Sequence, residues 1–476
     1  MSTAARPHPL GWLGHVLIAP AVWVERARGR KRLGLLALYA LVAGIIGLWI
    51  YRTSRLSGLP DVGDPFDVRV YRDSHVPDSE NAFALYRQAI AQLKRPTSQV
   101  PTKLPNDWRN ADEAVRAWVA DNHQAIALWR QATERSQMPY AGFAGAVLLE
   151  CNFMEQSGGP NPSNALGQFA MLEASRRQQA GDMAGASDWY LALLRFSRHV
   201  QTHTLQTGRG LGVGLQRMAR RGLEQWAADS RVDTALLHKT LDQVLAIEAT
   251  TPPISDTLKA HYLQVLEELN EPDRYRRAIG QRHSPNEPDW YVQLDSVVRV
   301  RWFLGNETER GRRLARLLFA NWLAECDKPW ESRPSFTTDW RIYDDPEAPP
   351  AARALHAETL SQIVNDSPFG PGQFLFWPFV EHLLSQDRID RAELIIRLAE
   401  RLHFRHYGYV PNSPEVLVGR CLSSLPQGFD PILQPRPGPR PQVLLEPKKG
   451  IAGRFLLDLG THDLFPSGPP RTELLP

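Results

Sequence analysis

Cysteine is nearly missing from this chain: Cys151, Cys326 and Cys421 are the only three in 476 residues. They lie far apart and form no Cys-x-x-Cys spacing, which removes support for a zinc ribbon or a thioredoxin-like dithiol. An oxidising compartment would permit one disulfide and leave one thiol over. Unpaired cysteines buried in helices are the simpler reading. Alternating apolar stretches are also few, which argues against a sheet-based fold. No Gly-x-x-x-x-Gly-Lys-Ser/Thr loop, no Gly-x-Ser-x-Gly elbow and no Ser-x-x-Lys pair occurs.

A basic body is missing too. The net charge is +3, but residues 1–32 hold six Arg or Lys against Glu25, a charge of +5, so the remaining 444 residues sum to −2. A nucleic-acid-binding body would normally be basic itself, so no nucleic-acid partner is expected. With 43% hydrophobic residues, the chain reads as packed rather than disordered.

What is present begins with Leu33 to Tyr51, nineteen residues without a charge, directly after Arg28-Gly-Arg30-Lys31-Arg32. As a helix it would be roughly 28 Å long, close to the hydrocarbon thickness of a bilayer. Trp49 and Tyr51 stand at its far end, where aromatic rings favour the headgroup level. A cleaved signal peptide would need a short basic start and a small-residue cleavage site. Here 32 residues precede the run, and bulky, basic Trp49-Ile-Tyr51-Arg52 follows it. The pattern predicts an uncleaved signal-anchor in contact with the lipid bilayer. Basic residues concentrate on the N-terminal side, which predicts a cytoplasmic N-terminus and a body outside the cytoplasm. Gly11 to Val24 is apolar, but too short to span, and Pro20 interrupts it. An interfacial position suits it, with a disordered leader as the alternative.

Six segments follow from composition and periodicity: a basic leader with an interfacial segment (1–32), the transmembrane anchor (33–51), a linker (52–78), a helical domain (79–270), a second helical region (271–430) and a Pro-rich tail (431–476). Within the linker, Asp67 to Tyr71 reads as a short strand. Helical patterns cover Asn81 to Ile90, Asp112 to Glu134 as one stretch, Ala165 to Ala180 and Met183 to His203. Gly181-Asp182 marks a turn between antiparallel helices. The series continues with Gly210 to Ala228, Asp233 to Glu248, Ile254 to Leu269, Leu294 to Phe303, Arg310 to Glu325, Ala351 to Val364 and Asp390 to His406. The fold class expected is mostly α.

One spacing recurs. Ala82-Tyr86-Ala89, Ala125-Trp129-Ala132 and Ala186-Tyr190-Leu193 place small or apolar residues and one aromatic on a shared helix face, at i, i+4 and i+7. Ala392-Ile396-Ala399 repeats it without the ring. Gly181-Asp-Met-Ala-Gly-Ala186-Ser-Asp-Trp-Tyr190-Leu-Ala-Leu193 resembles the second helix of a tetratricopeptide repeat. The three faces start 43 and 61 residues apart rather than at a constant period. The resemblance therefore implies irregular TPR-like hairpins and not a regular array.

Two further resemblances attach to longer stretches. The anchor, Glu80 to Ala89, Asn122 to Ala132 with Pro139 to Phe143, and Gln179 to Asp182 with Leu193 to His199 together resemble a group of uncharacterised bacterial single-pass membrane proteins. That likeness implies an architecture and a place in the bacterial cytoplasmic membrane, with no activity attached. Arg401-Leu-His-Phe-Arg-His-Tyr-Gly-Tyr-Val-Pro411, Leu417, Leu425-Pro426, Asp430-Pro431 and Gly453 to Asp463 resemble a pseudopilin tail segment, although its Asp-Gly-rich metal loop is absent. This implies a small irregular or β tail, and an accessory role in a secretion or pilus-like apparatus as one alternative function.

Several constellations have the right residue types for chemistry. His199 and His203 are spaced as ligands one helical turn apart, but Val200 stands where a zincin needs its Glu, and no third ligand is evident. His403 and His406 stand at i, i+3. Gly208, Gly210, Gly212 and Gly214 follow a helix rather than a strand, so close helix packing with a bend is expected and not a nucleotide loop. Arg195, Arg198, Arg209, Arg217, Arg220 and Arg221 form a run without an acid between Asp188 and Glu224; a solvated face paired with acids elsewhere is expected. Glu267-Glu268 and Asp344-Asp345 are adjacent, so they offer no opposed carboxylates. No catalytic residue, cofactor-binding residue, metal ligand or cofactor is assigned. The reading reached is an anchored helical module that binds a protein or peptide, with a membrane-tethered hydrolase-like enzyme as the alternative.

Overall fold

A computed structural model describes residues 24–25, 28–57, 59–73, 76–94, 96, 100, 104–140, 161–270, 303–328 and 377–426. Met1–Gly428 forms one compact unit; the other, Phe429–Pro476, lies outside the described residues. Also outside them are most of Gly11 to Val24, Cys151, most of Leu294 to Phe303, Asp344-Asp345, Ala351 to Val364 and the 431–476 tail.

The fold is mostly α, and the described residues contain no sheet. The first helix, α1 (Arg30–Ser54), is long and apolar enough to cross a membrane, and none of it is buried. Helices α2 (Val68–Arg72), α3 (Ala82–Gln92), α4 (Glu113–Asp121) and α5 (His123–Ala132) follow. The centre is α6 (Pro162–Gln179), α7 (Met183–Gln201) and α8 (Gln206–Ala228). The remainder is α9 (Thr234–Glu248), α10 (Ile254–Asn270), α11 (Glu307–Glu325) and α12 (Trp377–Tyr407).

Short polar residues set the helix starts. Asn81, Asp112, Asp182 and Asp233 each accept an N–H of the first turn with their side chains. The α6–α7 hairpin turns at Gly181, whose φ of +88° lies in the left-handed region that a Cβ disfavours. The i, i+4, i+7 faces are the packed ones. Tyr86, Trp129 and Tyr190 are at most 2% exposed, and so are their small neighbours. Each such ring contributes about 2–3 kcal/mol by leaving water. Tyr86 and Trp129 both meet Phe196 of α7, with centroids 4.9 and 5.6 Å away, so α3 and α5 seat on the hairpin through their aromatics.

The four-glycine stretch lies inside α8, as close packing requires. A Cβ at Gly212 would sit 2.8 Å from the Ser197 carbonyl of α7, and one at Gly222 would overlap the Tyr190 ring. α7 and α8 are thus held closer than side chains would allow.

Three expectations need correction. The stretch 112–134 is two helices, because buried Asn122 breaks it: its Oδ1 accepts from the Lys94 N–H (2.7 Å) and its amide donates to the Trp118 carbonyl (2.8 Å). Asp67 to Tyr71 is not a strand. The Asp67 carboxylate accepts the Arg69 and Val70 N–H groups, both at 3.0 Å, and starts α2. Nor does 52–78 run as a free linker. Leu59 is 3% exposed in a core with Leu258, Tyr262, Leu314 and Phe319, against which Phe66 and Tyr71 also pack.

This packing joins α1 to the body. Arg52 stacks over the Phe303 ring at 4.1 Å, donates to the Phe303 carbonyl and reaches Asn306 Oδ1 at 3.0 Å. Arg313 donates to the Leu59 carbonyl at 3.0 Å, and Arg316 bonds Asp61 and Asp64.

Candidate functional site

His199 and His203 do not form a pair. α7 ends at Gln201, so His203 leaves the helical register with φ +51°. The His199 ring is half-buried, and its Nδ1 meets the Tyr86 hydroxyl at 2.8 Å. Burial pushes its pKa down to about 4, helped by the Arg195 charge.

His203 instead enters a cluster with Tyr71 and Asp256. Its Nδ1 lies 2.5 Å from Asp256 Oδ1 and 3.1 Å from the Tyr71 hydroxyl, and its backbone N–H donates to Asp256 Oδ2. Tyr71 donates to Asp256 at 3.0 Å. Burial would raise the Asp256 pKa, but the His203 hydrogen bonds and charge outweigh it and hold the carboxyl below its usual range. Burial and the Asp256 charge push the Tyr71 phenol far up, so it stays a donor. With Asp256 accepting at Nδ1, the basic nitrogen of a neutral His203 is Nε2. The geometry orients an imidazole for proton transfer at Nε2. Three elements build the cluster: α2, the α7–α8 turn and the start of α10.

Of the arginine run, Arg195, Arg198, Arg217 and Arg220 pair with acids elsewhere, but the run is not a solvated face. Arg217 Nε and Arg220 Nη1 reach the two Asp390 oxygens at 2.7 Å each, and Arg220 also bonds Glu224 and Glu393, tying α8 to α12. Arg195 meets Glu134 at 3.3 Å. Arg198 and Arg209 are only 2% exposed. Arg198 Nη2 donates to Gln216 Oε1 (2.5 Å) and Glu248 Oε2 (3.2 Å), while Arg209 Nη2 donates to the Pro252 carbonyl (3.0 Å). Burial lowers both pKa values, Arg209 to about 10, so the Arg209 guanidinium remains charged near neutrality.

A third arrangement lies at the end of α12. Away from α1, the large exposed apolar side chains among the described residues are Val70, Phe303, Phe404, Tyr407, Tyr409, Val410 and Val418. Five of these seven fall between 404 and 418, which concentrates them in one short segment. Buried His403 organises it: Nδ1 lies 3.2 Å from the Tyr409 carbonyl and Nε2 lies 3.2 Å from Arg420 Nη1. Arg420 also donates to the Tyr409 hydroxyl at 3.2 Å and lies 5.1 Å from the Tyr407 ring centroid. His406 is exposed, so the i, i+3 histidines take separate environments. Tyr and Arg side chains fixed at a surface, with apolar neighbours, have the composition of an interaction hot spot.

Cys326 is buried and Cys421 half-buried. Glu268 lies 2.9 Å from Gln264 across one helical turn, and the described residues hold no cluster of three or more metal-ligating side chains. Tyr71 and Asp256 escaped the sequence reading because 185 residues separate them and neither stands in a motif. Tyr407, Tyr409 and Arg420 were visible only as members of the pseudopilin-like stretch or as its neighbours. Comparison of the chain with models of known protein families, with curated proteins and with solved structures returns no match.

Proposed function

We propose that this chain is a single-pass membrane protein whose helical body binds a protein or peptide partner outside the cytoplasm. The observation that carries the binding role is the exposed aromatic segment at the end of α12, built around His403 and Arg420. Rings held by hydrogen bonds and stacking lose little conformational entropy on docking, which favours affinity. The test places a photo-crosslinking residue at Tyr409 and, as a control, at Val70, in the full chain within its native membrane. One adduct of constant mass should form from Tyr409 and not from Val70. In a Tyr407→Ala/Arg420→Ala background its yield should fall about tenfold. No adduct, or an adduct indifferent to the double substitution, defeats the reading.

Topology is part of the proposal. Arg28, Arg30, Lys31 and Arg32 precede the apolar run, while Arg52 at the other end is engaged by Phe303 and Asn306. The positive-inside bias then leaves the body outside the cytoplasm. Trp49 and Tyr51, near that end of α1, and Phe303 beside Arg52 are exposed rings of the kind that suits the headgroup level. Val70 is 69% exposed, so Val70→Cys supplies a reporter. It should react with a membrane-impermeant maleimide added to spheroplasts. Reaction only after lysis reverses the assigned orientation.

A further inference from the structure

We propose that the exposed segment at the end of α12 takes an acidic peptide. Arg420 receives a side-chain carboxylate, and the Tyr407 and Tyr409 rings seat the apolar residue beside it. This rests on the docking role of the same segment and names the chemistry of its partner. Arg420 is exposed, yet it is fixed at three points. Its Nη1 lies 3.2 Å from both His403 Nε2 and the Tyr409 hydroxyl, and its guanidinium carbon lies 5.1 Å from the Tyr407 ring centroid. The two tyrosine rings are exposed, with centroids 6.3 Å apart. These contacts use one nitrogen and one face of the guanidinium. Nε and Nη2 form its other edge, a pair of donors that matches the two oxygens of a carboxylate. Water solvates that edge in the free protein, as on any exposed arginine. What the fold adds is position, so a carboxylate pairs there with little loss of side-chain freedom.

Charge selects the partner. Arg176, Arg220, Arg231 and Arg316 are each held by carboxylates. The three groups that hold Arg420 are neutral: His403 donates from Nδ1 to the Tyr409 carbonyl, so its Nε2 is the acceptor for Arg420. Between 401 and 420 stand Arg401, Arg405 and Arg420 against Glu415 alone, a charge of +2 with the histidines neutral. Arg405 is turned to the Ala227 and Asp229 carbonyls, and the Asp229 carboxylate is held by Arg231. Arg401 is exposed and meets no acid among the described residues. An apolar patch beside uncompensated positive charge repels a basic partner and attracts an acidic one. Arg401 stands one turn before exposed Phe404, and Arg420 lies against Tyr407. Two separate positive groups along the rings favour a segment with acidic side chains over a lone C-terminal carboxylate.

The test uses the full chain in detergent micelles and random short peptides displayed on phage, which offer no free C-terminal carboxylate. Selected peptides should carry Asp or Glu next to an aromatic or aliphatic residue. One of them, synthesised with blocked ends, should bind about tenfold more weakly when its acid becomes the carboxamide, as expected for a charge-assisted hydrogen bond. Against Arg420→Gln the acid and amide peptides should bind alike. An acid-to-amide loss of equal size in wild type and Arg420→Gln overturns the proposal. Should Arg420→Gln bind neither peptide, Arg420→Lys carries the test: it keeps the charge but not the two-donor fork, and an undiminished loss there overturns the role of Arg420. Selected peptides that lack acids but fail to bind Tyr407→Ala overturn the acidic partner and leave the docking surface standing. No selected peptide at all defeats both.

Discussion

Between pH 7 and pH 4.5 the folded body should lose about 5 kcal/mol of stability through two imidazoles, half-buried His199 and buried His261. Burial lowers each from the ordinary value of 6.5 to about 4. Above 6.5 both are neutral whether the chain is folded or not, and they add no pH dependence. Between 6.5 and about 4 the unfolded chain takes up a proton on each while the folded chain does not, so stability falls as pH falls. Below about 4 the folded forms protonate too and the loss levels off. Glu307 opposes this in part, because burial raises its pKa despite the Arg310 and Arg55 charges. Asp256 adds to the loss only below its ordinary 3.8. Urea midpoints measured across this range should fall steeply below pH 6. Replacing both residues by Asn, whose amide stands in for Nδ1 towards Tyr86 and Gln206, should flatten the curve. A wild-type midpoint unchanged between pH 7 and 4.5 would show that these rings are hydrated.

His199 also shows where sequence reading works and where it stops. Local rules were legible. The i, i+4, i+7 faces set by Tyr86, Trp129 and Tyr190 are buried, Gly181 turns the hairpin, and Asn81, Asp112, Asp182 and Asp233 start their helices. These follow from side-chain geometry within one or two turns. Helix ends set by distant partners were not legible. Asn122 breaks a helix because Lys94 is beside it, and α7 stops at Gln201 while Asp256 holds the next residues. The arginine run looked solvated because charge predicts exposure, but burial is decided by which helices cover a face. Arg198 of α7 is covered by α8, and Arg209, itself on α8, reaches the Pro252 carbonyl; no local pattern encodes that packing.

The candidate site was less legible than the fold for a related reason. A helix face is periodic, so its residues announce one another. Tyr71, His203 and Asp256 come from three elements and share only a point in space. The exposed segment on α12 is local, yet its exposure depends on which of its rings the body leaves uncovered. His403 could be read as a surface ligand in sequence; it is instead a fully buried brace beneath Tyr409 and Arg420.

Asp256→Ala should cost about 3–5 kcal/mol, because one carboxylate satisfies several groups at once. It is 6% exposed and accepts from the Tyr71 hydroxyl, the His203 ring and the His203 backbone N–H. Removing it takes the carboxylate acceptor from the His203 backbone N–H and ring, while Tyr71 keeps the Asp256 carbonyl. It also removes what holds His203 at φ +51°, a conformation that costs a non-glycine residue about 1–2 kcal/mol. The effects of the two residues should therefore be strongly coupled. His203→Gly in the native background relieves the backbone but strips Asp256 of its partner, and should cost about 2 kcal/mol. In the Asp256→Ala background the same change only relieves the backbone, and should return about 1 kcal/mol. A coupling near 3 kcal/mol in the double-mutant cycle follows from these two figures. Asp256→Asn separates charge from shape: its single acceptor oxygen can serve Tyr71 and the ring, or the His203 backbone N–H, but not both, so it should fall between wild type and Ala. Additive losses, with the double variant as unstable as the sum of the singles, would mean that Asp256 does not hold His203 in its left-handed conformation. The α7–α8 turn would then owe its shape to the helix packing around Gly212 alone.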